Sequence, residues 1–295
     1  MSVWSAIEKS IQAAGISDFS LSHQQVVSGG DISQAYVVSN KHQRFFVKIN
    51  SSAFLDNFQQ EVLGLSYLAR CHQLITPQVV TTEVYQRQSF LVLEYLDLSQ
   101  SGKDSCFAES LVSLHQITAQ EFGFESNNYI GGNPQYNSWL SDWGQYFVEY
   151  RLRPQFELLF QGNLKSSIDN KVKENSETLM KQCRFILNSH APQPSLVHGD
   201  LWQGNYAFDR HGNPVVYDPA CYFADSEVDI AMLEMFGSPS EEFYSVYYQQ
   251  RPPQNGLETR KKIYNLYHLL NHANLFGGGY LSRVESSVAQ ILKSF

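Results

Sequence analysis
The densest chemistry in this chain is the run Val197-His198-Gly199-Asp200-Leu201-Trp202-Gln203-Gly204-Asn205, followed after a turn by Val215-Val216-Tyr217-Asp218-Pro219. Asp200 and Asn205 are five apart, and Asp218 lies 18 beyond Asp200. Phosphoryl transfer needs one carboxylate to accept the proton of an attacking hydroxyl. It also needs an amide and a second carboxylate to hold Mg²⁺ against nucleotide phosphates. Asp200, Asn205 and Asp218 supply that set at the spacing such loops use. HGD or DP alone would read as acids capping turns; together, between β-rich runs, they read as a site.

Matching parts lie upstream. Lys48 sits among Phe46, Val47 and Ile49, where an ammonium is costly without a partner. Glu61 on the following helix is the expected partner, and such a strand lysine with a helix glutamate fixes the α- and β-phosphates. A solvated lysine on an edge strand is the competing account. In Ser28-Gly29-Gly30-Asp31-Ile32-Ser33, Gly29 and Gly30 allow backbone N–H groups to approach phosphates. That turn is neither GxGxxG nor a Walker sequence, and an ordinary hairpin turn fits it as well. Glu94, Tyr95 and Leu96, ending the run Leu91-Val92-Leu93-Glu94-Tyr95-Leu96, occupy the place where adenine would meet backbone groups, an assignment that rests on order along the chain.

The elements that must position these residues follow from periodicity. Residues 23–50 read as three strands broken by the Gly29-Gly30-Asp31 turn and by the polar residues 40–43. Phe58, Val62, Leu65 and Leu68 recur at a helical period, with Glu61 beside the stripe. Residues 78–84 and 89–95 suit two more strands, so the first lobe reads β-β-β-α-β-β. The polar stretch DLSQSGKDS after Leu96 marks a linker, dividing the chain into a lobe at 1–97 that covers the nucleotide and a lobe at 98–295 that carries the catalytic loop. Stretches near 106–119, 136–161, 165–188, 226–236, 239–250, 257–275 and 280–294 suit helices.

Composition closes off other classes. The chain has 295 residues, 43 % of them hydrophobic and 17 % charged, so a packed interior is attainable. Twenty-one basic against 29 acidic side chains leave a net charge of −8, which argues against nucleic acid and anionic lipid as partners. The four cysteines lack metal or disulfide spacing, as expected for a reducing compartment. Val3, Trp4, Ile7 and Ile11 share a helical face interrupted by Glu8, the pattern of a docked helix and unlike a signal peptide. The most apolar window, Phe90 to Leu96, contains Glu94 and falls far short of the roughly 18 residues a membrane span needs. A cytoplasmic protein is expected; oligomeric state is not legible.

The sequence resembles the fructosamine kinase (ketosamine-3-kinase) family, a branch of the aminoglycoside/choline-kinase group. The resemblance covers nearly the whole chain. It is carried by GGDISQAY at 29–36, FFVKIN at 45–50, the pattern of Phe58, Glu61, Gly64 and Leu65, and LVLEYL at 91–96. NNYIGGNPQ at 127–135, WxxDWxxYFxEYRLRPQ at 139–155 and HGDLWQGN through DPACYFADSEVDIAMLEMFG at 198–237 complete it. The last block is the most specific. The fold class implied is α+β, a protein-kinase-like two-lobe fold with an N-terminal antiparallel five-stranded sheet plus a helix and a larger, mainly α-helical C-terminal lobe.

The activity implied is MgATP-dependent phosphorylation of the C3 hydroxyl of a ketose attached to an amine, on a small molecule or a protein. Phosphate then leaves by elimination and the amine is freed. By position, the resemblance makes Asp200 the catalytic base and Asn205 and Asp218 the magnesium ligands, with Lys48 on phosphates and Glu61 orienting Lys48. His198 is expected to brace the loop, and Asp229 to hydrogen-bond it; Glu227 is unassigned. Trp202 is a candidate wall against the substrate, with a core role as the alternative. Asn128, Tyr129, Gly131 and Gly132 could close over the sugar or form a structural turn. Arg151 and Arg153 are expected to pair with acids such as Glu149, with a phosphate contact as the rival reading.

Departures from the protein-kinase pattern bear on the acceptor. HGD replaces HRD and DPA replaces DFG. Six residues separate Asp218 from Asp225, and a helical pattern resumes at once, leaving little room for a peptide-docking segment. The acceptor is expected to be small, or a sugar protruding from a protein. A kinase of the same fold for an aminoglycoside, choline or methylthioribose, and a catalytically silent binding protein, remain the alternatives.

Overall fold
In a computed structural model the described residues are 2–27, 32–162, 167–237 and 239–294. Helix α1 (Val3–Ala13) precedes strands β1 (His23–Val27), β2 (Gln34–Ser39) and β3 (Arg44–Ser51). A short 3₁₀ turn leads into α2 (Leu55–Leu68), then β4 (Val79–Tyr85) and β5 (Gln88–Glu94). The strands form one antiparallel sheet in the order β1-β2-β3-β5-β4. Side chains alternate between the faces of a strand, and β3 uses both. Phe45, Val47 and Ile49 pack with Ile7 and Ile11 of α1. Phe46 and Lys48 point the other way, toward the side that α2 covers with Phe58 and Leu65.

The next segment departs from the expected linker. Leu98 and Ser99 form β6, which pairs with the larger lobe at Asp209 and Phe208. Two residues are too few for a strand pattern to show in sequence. Gly102 lets the chain pass over Phe208, since a Cβ there would lie 2.0 Å from its ring.

The remaining elements are α3 (Asp104–His115), β7 (Asn128–Ile130) and β8 (Asn133–Gln135), then α4 (Trp143–Phe147), a π-helical turn (Val148–Leu152) and α5 (Arg153–Gln161). Helix α6 (Asn170–Leu187) leads to β9 (Ser195–Val197), β10 (Tyr206–Asp209), β11 (Pro214–Val216) and β12 (Tyr222–Ala224). Helices α7 (Glu227–Met235), α8 (Glu241–Gln250), α9 (Leu257–Phe276) and α10 (Gly279–Leu292) complete the chain. The helix expected from residue 136 starts only at Trp143, because the Asp142 carboxylate caps it by accepting from the Gln145 N–H at 2.7 Å. The helix expected from 106 runs instead from Asp104 to His115.

One large core joins α3 to α10 with the short strands. Arg151 lies wholly inside it, 3.9 Å from the Tyr222 ring centroid. It does not pair with Glu149 as expected. Its guanidinium donates to the carbonyls of Tyr136 and Tyr150 and to Asn137 Oδ1 and the Tyr146 hydroxyl. Arg153 pairs with Glu149 at 2.8 Å and Glu177 at 2.6 Å on the outer face. Both arginines are thereby engaged away from the cavity. No helix of the described residues is long and apolar enough to cross a membrane.

Candidate active site
Strand pairing places the two loops that matter side by side. β9 pairs with β12, and β10 with β11, so the loop His198–Asn205 lies against the loop Tyr217–Cys221. Backbone bonds stitch them: Ala220 N–H to the His198 carbonyl at 2.9 Å and Tyr217 N–H to the Asn205 carbonyl at 3.1 Å. Gly199 sits at φ +83°, and a Cβ there would fall 2.1 Å from the Ala220 oxygen, so only glycine fits.

Two buried groups set the shape of the His198–Asn205 loop. The Asp229 carboxylate accepts from the N–H groups of His198 at 2.8 Å and Gly199 at 2.9 Å, and meets His115 Nε2 at 3.1 Å. Burial alone would raise its pKa, but these partners hold it below the ordinary value. His198 braces the loop as expected, with Nε2 3.0 Å from the Tyr217 carbonyl and Nδ1 accepting from the Asp200 N–H at 3.3 Å. Burial depresses the His198 pKa and keeps the ring neutral.

Asn205 donates to the Asp200 carbonyl at 2.8 Å and to Asp200 Oδ2 at 3.1 Å, which turns its amide oxygen away as an available ligand. Lys48 Nζ is 2.7 Å from Glu61 Oε1 and also contacts Asp218 Oδ1. Burial opposes the Lys48 charge, yet Asp218 and Glu61 outweigh it and its pKa rises. Burial pushes the Glu61 carboxyl up, more than Lys48 offsets. Asp200 is pushed up to about 7, by burial first and by the Asp218 charge second, with Asn205 opposing. Asp218 itself sits at φ +56°, a left-handed conformation that aspartate tolerates better than most residues. Asn205 and Asp218 offer oxygen donors of the kind Mg²⁺ takes.

All five groups line one cavity of about 1000 Å³ between the sheet and the large core. Its inner wall carries Ala35, Phe46, Leu93, Glu94, Tyr95 and Leu96. The Glu94 N–H is bonded to the Gln78 carbonyl at 2.8 Å. The Tyr95 ring lies under Arg44 at 4.2 Å, and Arg44 pairs with Asp97. Gly29 and Gly30 lie outside the described residues.

The model of the fructosamine kinase family matches residues 3–294. This chain belongs to the fructosamine kinase family. A probable ketoamine kinase of Vibrio parahaemolyticus serotype O3:K6 (strain RIMD 2210633) is 39 % identical over 300 residues, covering 98 % of this chain and 99 % of that protein. The chloroplastic protein-ribulosamine 3-kinase of Arabidopsis thaliana is 35 % identical over 271 residues, 90 % of this chain and 82 % of that one. Among solved structures, a Haemophilus somnus 129PT protein provisionally assigned as a fructosamine-3-kinase superposes with TM-score 0.87 at 29 % identity, covering 98 % and 97 % of the two chains. Aminoglycoside phosphotransferase APH(4)-Ia shares the fold at TM-score 0.65 and 16 % identity, covering 97 % and 98 %. The protein-kinase-like α+β architecture is thus established.

In this member of the fructosamine kinase family, Asn128, Tyr129 and Trp202 line the same cavity. Asn128 is buried: its amide donates to the Cys221 carbonyl at 2.8 Å, and its oxygen accepts from Gln135 and Asn137, both at 2.9 Å. Those bonds pin the β7–β8 hairpin to the Asp218 loop, which makes Asn128 part of the scaffold of the cavity wall. The Tyr129 hydroxyl donates to Asp56 on α2 at 2.6 Å, a tie across the lobes. Trp202 is half-buried, folded against Gly204 and edge-on to Phe236, with ring centroids 5.9 Å apart. Phe236, His272, Phe276 and Tyr280 extend that wall. Sequence reasoning missed the last three, whose helical spacing looks like ordinary core. Glu227 is bound bidentate by Arg260 at 2.6 and 2.7 Å, a structural role. Cys221 is buried, and its thiol is raised well above the usual range by burial, which makes it unreactive.

Proposed function
We propose that this chain is a ketosamine 3-kinase that moves the γ-phosphoryl group of ATP to the C3 hydroxyl of a sugar-amine adduct. The observation that carries the reading is the meeting of Lys48, Glu61, Asp200, Asn205 and Asp218 on one cavity, from elements far apart in the chain. Relatives named ketoamine kinase and protein-ribulosamine 3-kinase support the acceptor. The same fold in a ternary complex with ADP and hygromycin B supports nucleotide use.

The roles follow from position and charge. Asp200 accepts the proton of the C3 hydroxyl, and its raised pKa matches the operating range of a general base. Lys48, held by Glu61, reaches the α- and β-phosphates. The adenine lies on the wall of Ala35 and Phe46, meeting the backbone of Glu94, Tyr95 and Leu96. Asn205 and Asp218 would hold Mg²⁺, which when bound neutralises charge building on the transferred phosphoryl group. Residues 1–97 then serve as the nucleotide-covering lobe and 98–295 as the catalytic and substrate lobe. Trp202 faces the sugar.

The test is ³¹P NMR of the product formed from fructosamine or ribulosamine derivatives with MgATP. Phosphate on C3, followed by release of the free amine, is expected. Phosphate at another carbon, or no ATP-dependent product, removes the reading.

A further inference from the structure
The substituent on a ketosamine's nitrogen meets the charge pattern at the cavity mouth. Around the cavity, the carboxylates among the described residues are Glu61, Glu94, Asp200 and Asp218, all in the strand, helix and loop machinery above. Phe236, just past α7, together with His272 and Phe276 of α9 and Tyr280 of α10, lines it there, and these elements bring no acid to it. At their outer end Arg283, exposed on α10, lies 5.6 Å from the Phe236 ring centroid and 5.7 Å from that of Tyr280. No described carboxylate comes within ion-pair distance of it. A guanidinium laid on rings keeps the N–H edges that chelate a carboxylate.

Phe276 on this wall is 48 % exposed, so the cavity reaches solvent beside the rings that Arg283 covers and offers the amine substituent of a ketosamine a way out there. Resting on the ketosamine reading, we propose that Arg283 is a specificity-determining residue that selects ketosamines bearing an anionic group on the amine. The substrate class is the adducts of α-amino acids through their α-nitrogen, whose carboxylate stays free. The ammonium can rest on an aromatic face while the carboxylate meets Arg283. Diamines and polycations find no acid here and are repelled by the arginine, so the aminoglycoside alternative loses ground on charge alone.

The experiment compares KM for fructosyl-glycine, fructosyl-glycinamide and fructosyl-ethylenediamine at low salt, in the wild type and in Arg283→Ala, Arg283→Lys and Arg283→Glu. An exposed ion pair supports a preference of about fivefold. Fructosyl-glycine should have the lowest wild-type KM by that factor. The ratio should collapse toward one in Arg283→Ala, return in part in Arg283→Lys, and invert in favour of the diamine adduct in Arg283→Glu. Equal KM values in the wild type, or a ratio that survives Arg283→Ala, overturn the inference while leaving ketosamine phosphorylation intact. Absence of turnover on all three substrates and on their ribulosyl counterparts removes the underlying reading, and this inference with it.

Discussion

Replacing Asp229 by Asn tests whether the catalytic loop is held from below. In the native protein one carboxylate oxygen accepts from the Gly199 N–H and the other from the His198 N–H and His115 Nε2. An asparagine has a single acceptor oxygen. With that oxygen on Gly199, its NH₂ confronts the His198 N–H; flipped, it confronts the Gly199 N–H. Either way one buried backbone donor two residues or fewer from Asp200 loses its acceptor. A lost hydrogen bond to a charged group with an orphaned donor costs about 3 kcal/mol, against a typical total stability of about 5–15 kcal/mol, so the variant should fold. Loosening of the loop should lower kcat by about 10- to 100-fold, the scale of a sub-ångström to 1 Å misplacement, with KM for ATP nearly unchanged because Lys48 and Glu61 are untouched. Urea unfolding and steady-state kinetics read both effects. His115→Phe, which spares the two backbone bonds, should cost less on both. A stability change under about 0.5 kcal/mol, with wild-type kcat, would refute the reasoning.

Other outcomes follow from the same geometry. With Asp200 raised to about 7, its protonated form cannot accept the hydroxyl proton, so kcat/KM at limiting Mg²⁺ should climb with pH through that value, standing roughly tenfold below plateau one unit lower. Added Mg²⁺ should move the limb to lower pH, since a dication favours the carboxylate; a flat profile from about pH 5.5 to 8 contradicts the assignment. Gly64→Ala would place a Cβ 2.9 Å from Pro219 Cγ, pushing α2 from the Asp218 loop; KM for ATP should rise several-fold in a folded protein, as overpacking costs about 1–3 kcal/mol, and unchanged ATP kinetics would count against the contact. Tyr129→Phe removes a cross-lobe tie rather than a sugar contact, so KM for the ketosamine should shift by less than about twofold, and a tenfold rise would return Tyr129 to the substrate site.

The parts of the site legible in sequence are those fixed by short spacing or strand alternation. Asp200, Asn205 and Asp218 sit on two adjacent loops whose flanking strands are apparent, and Lys48 stands out because a charge interrupts an apolar strand. Its pairing with Glu61 follows from the helix that comes next. The acceptor wall was hidden for the opposite reason: His272 and Phe276 on α9 and Tyr280 on α10 repeat at a helical spacing that reads as core, and Phe236, just past α7, joins them only in three dimensions. Asn128 shows a further limit, since a buried amide that bonds a carbonyl and an exposed one that bonds a sugar look identical in a sequence. Arg151 misled similarly, because pairing with a nearby acid is the ordinary fate of an arginine, whereas here backbone carbonyls and a tyrosine face take its place. The Leu98–Ser99 bridge is decided by its partner at Phe208 and Asp209.

The most direct measurement pairs calorimetric MgATP binding with turnover of a ketosamine in Asp200→Asn. If Asp200 serves as the base while other groups hold the nucleotide, MgATP should bind with wild-type affinity and kcat should fall by about 10²- to 10⁴-fold. Turnover within a few-fold of wild type, with binding intact, would contradict the account.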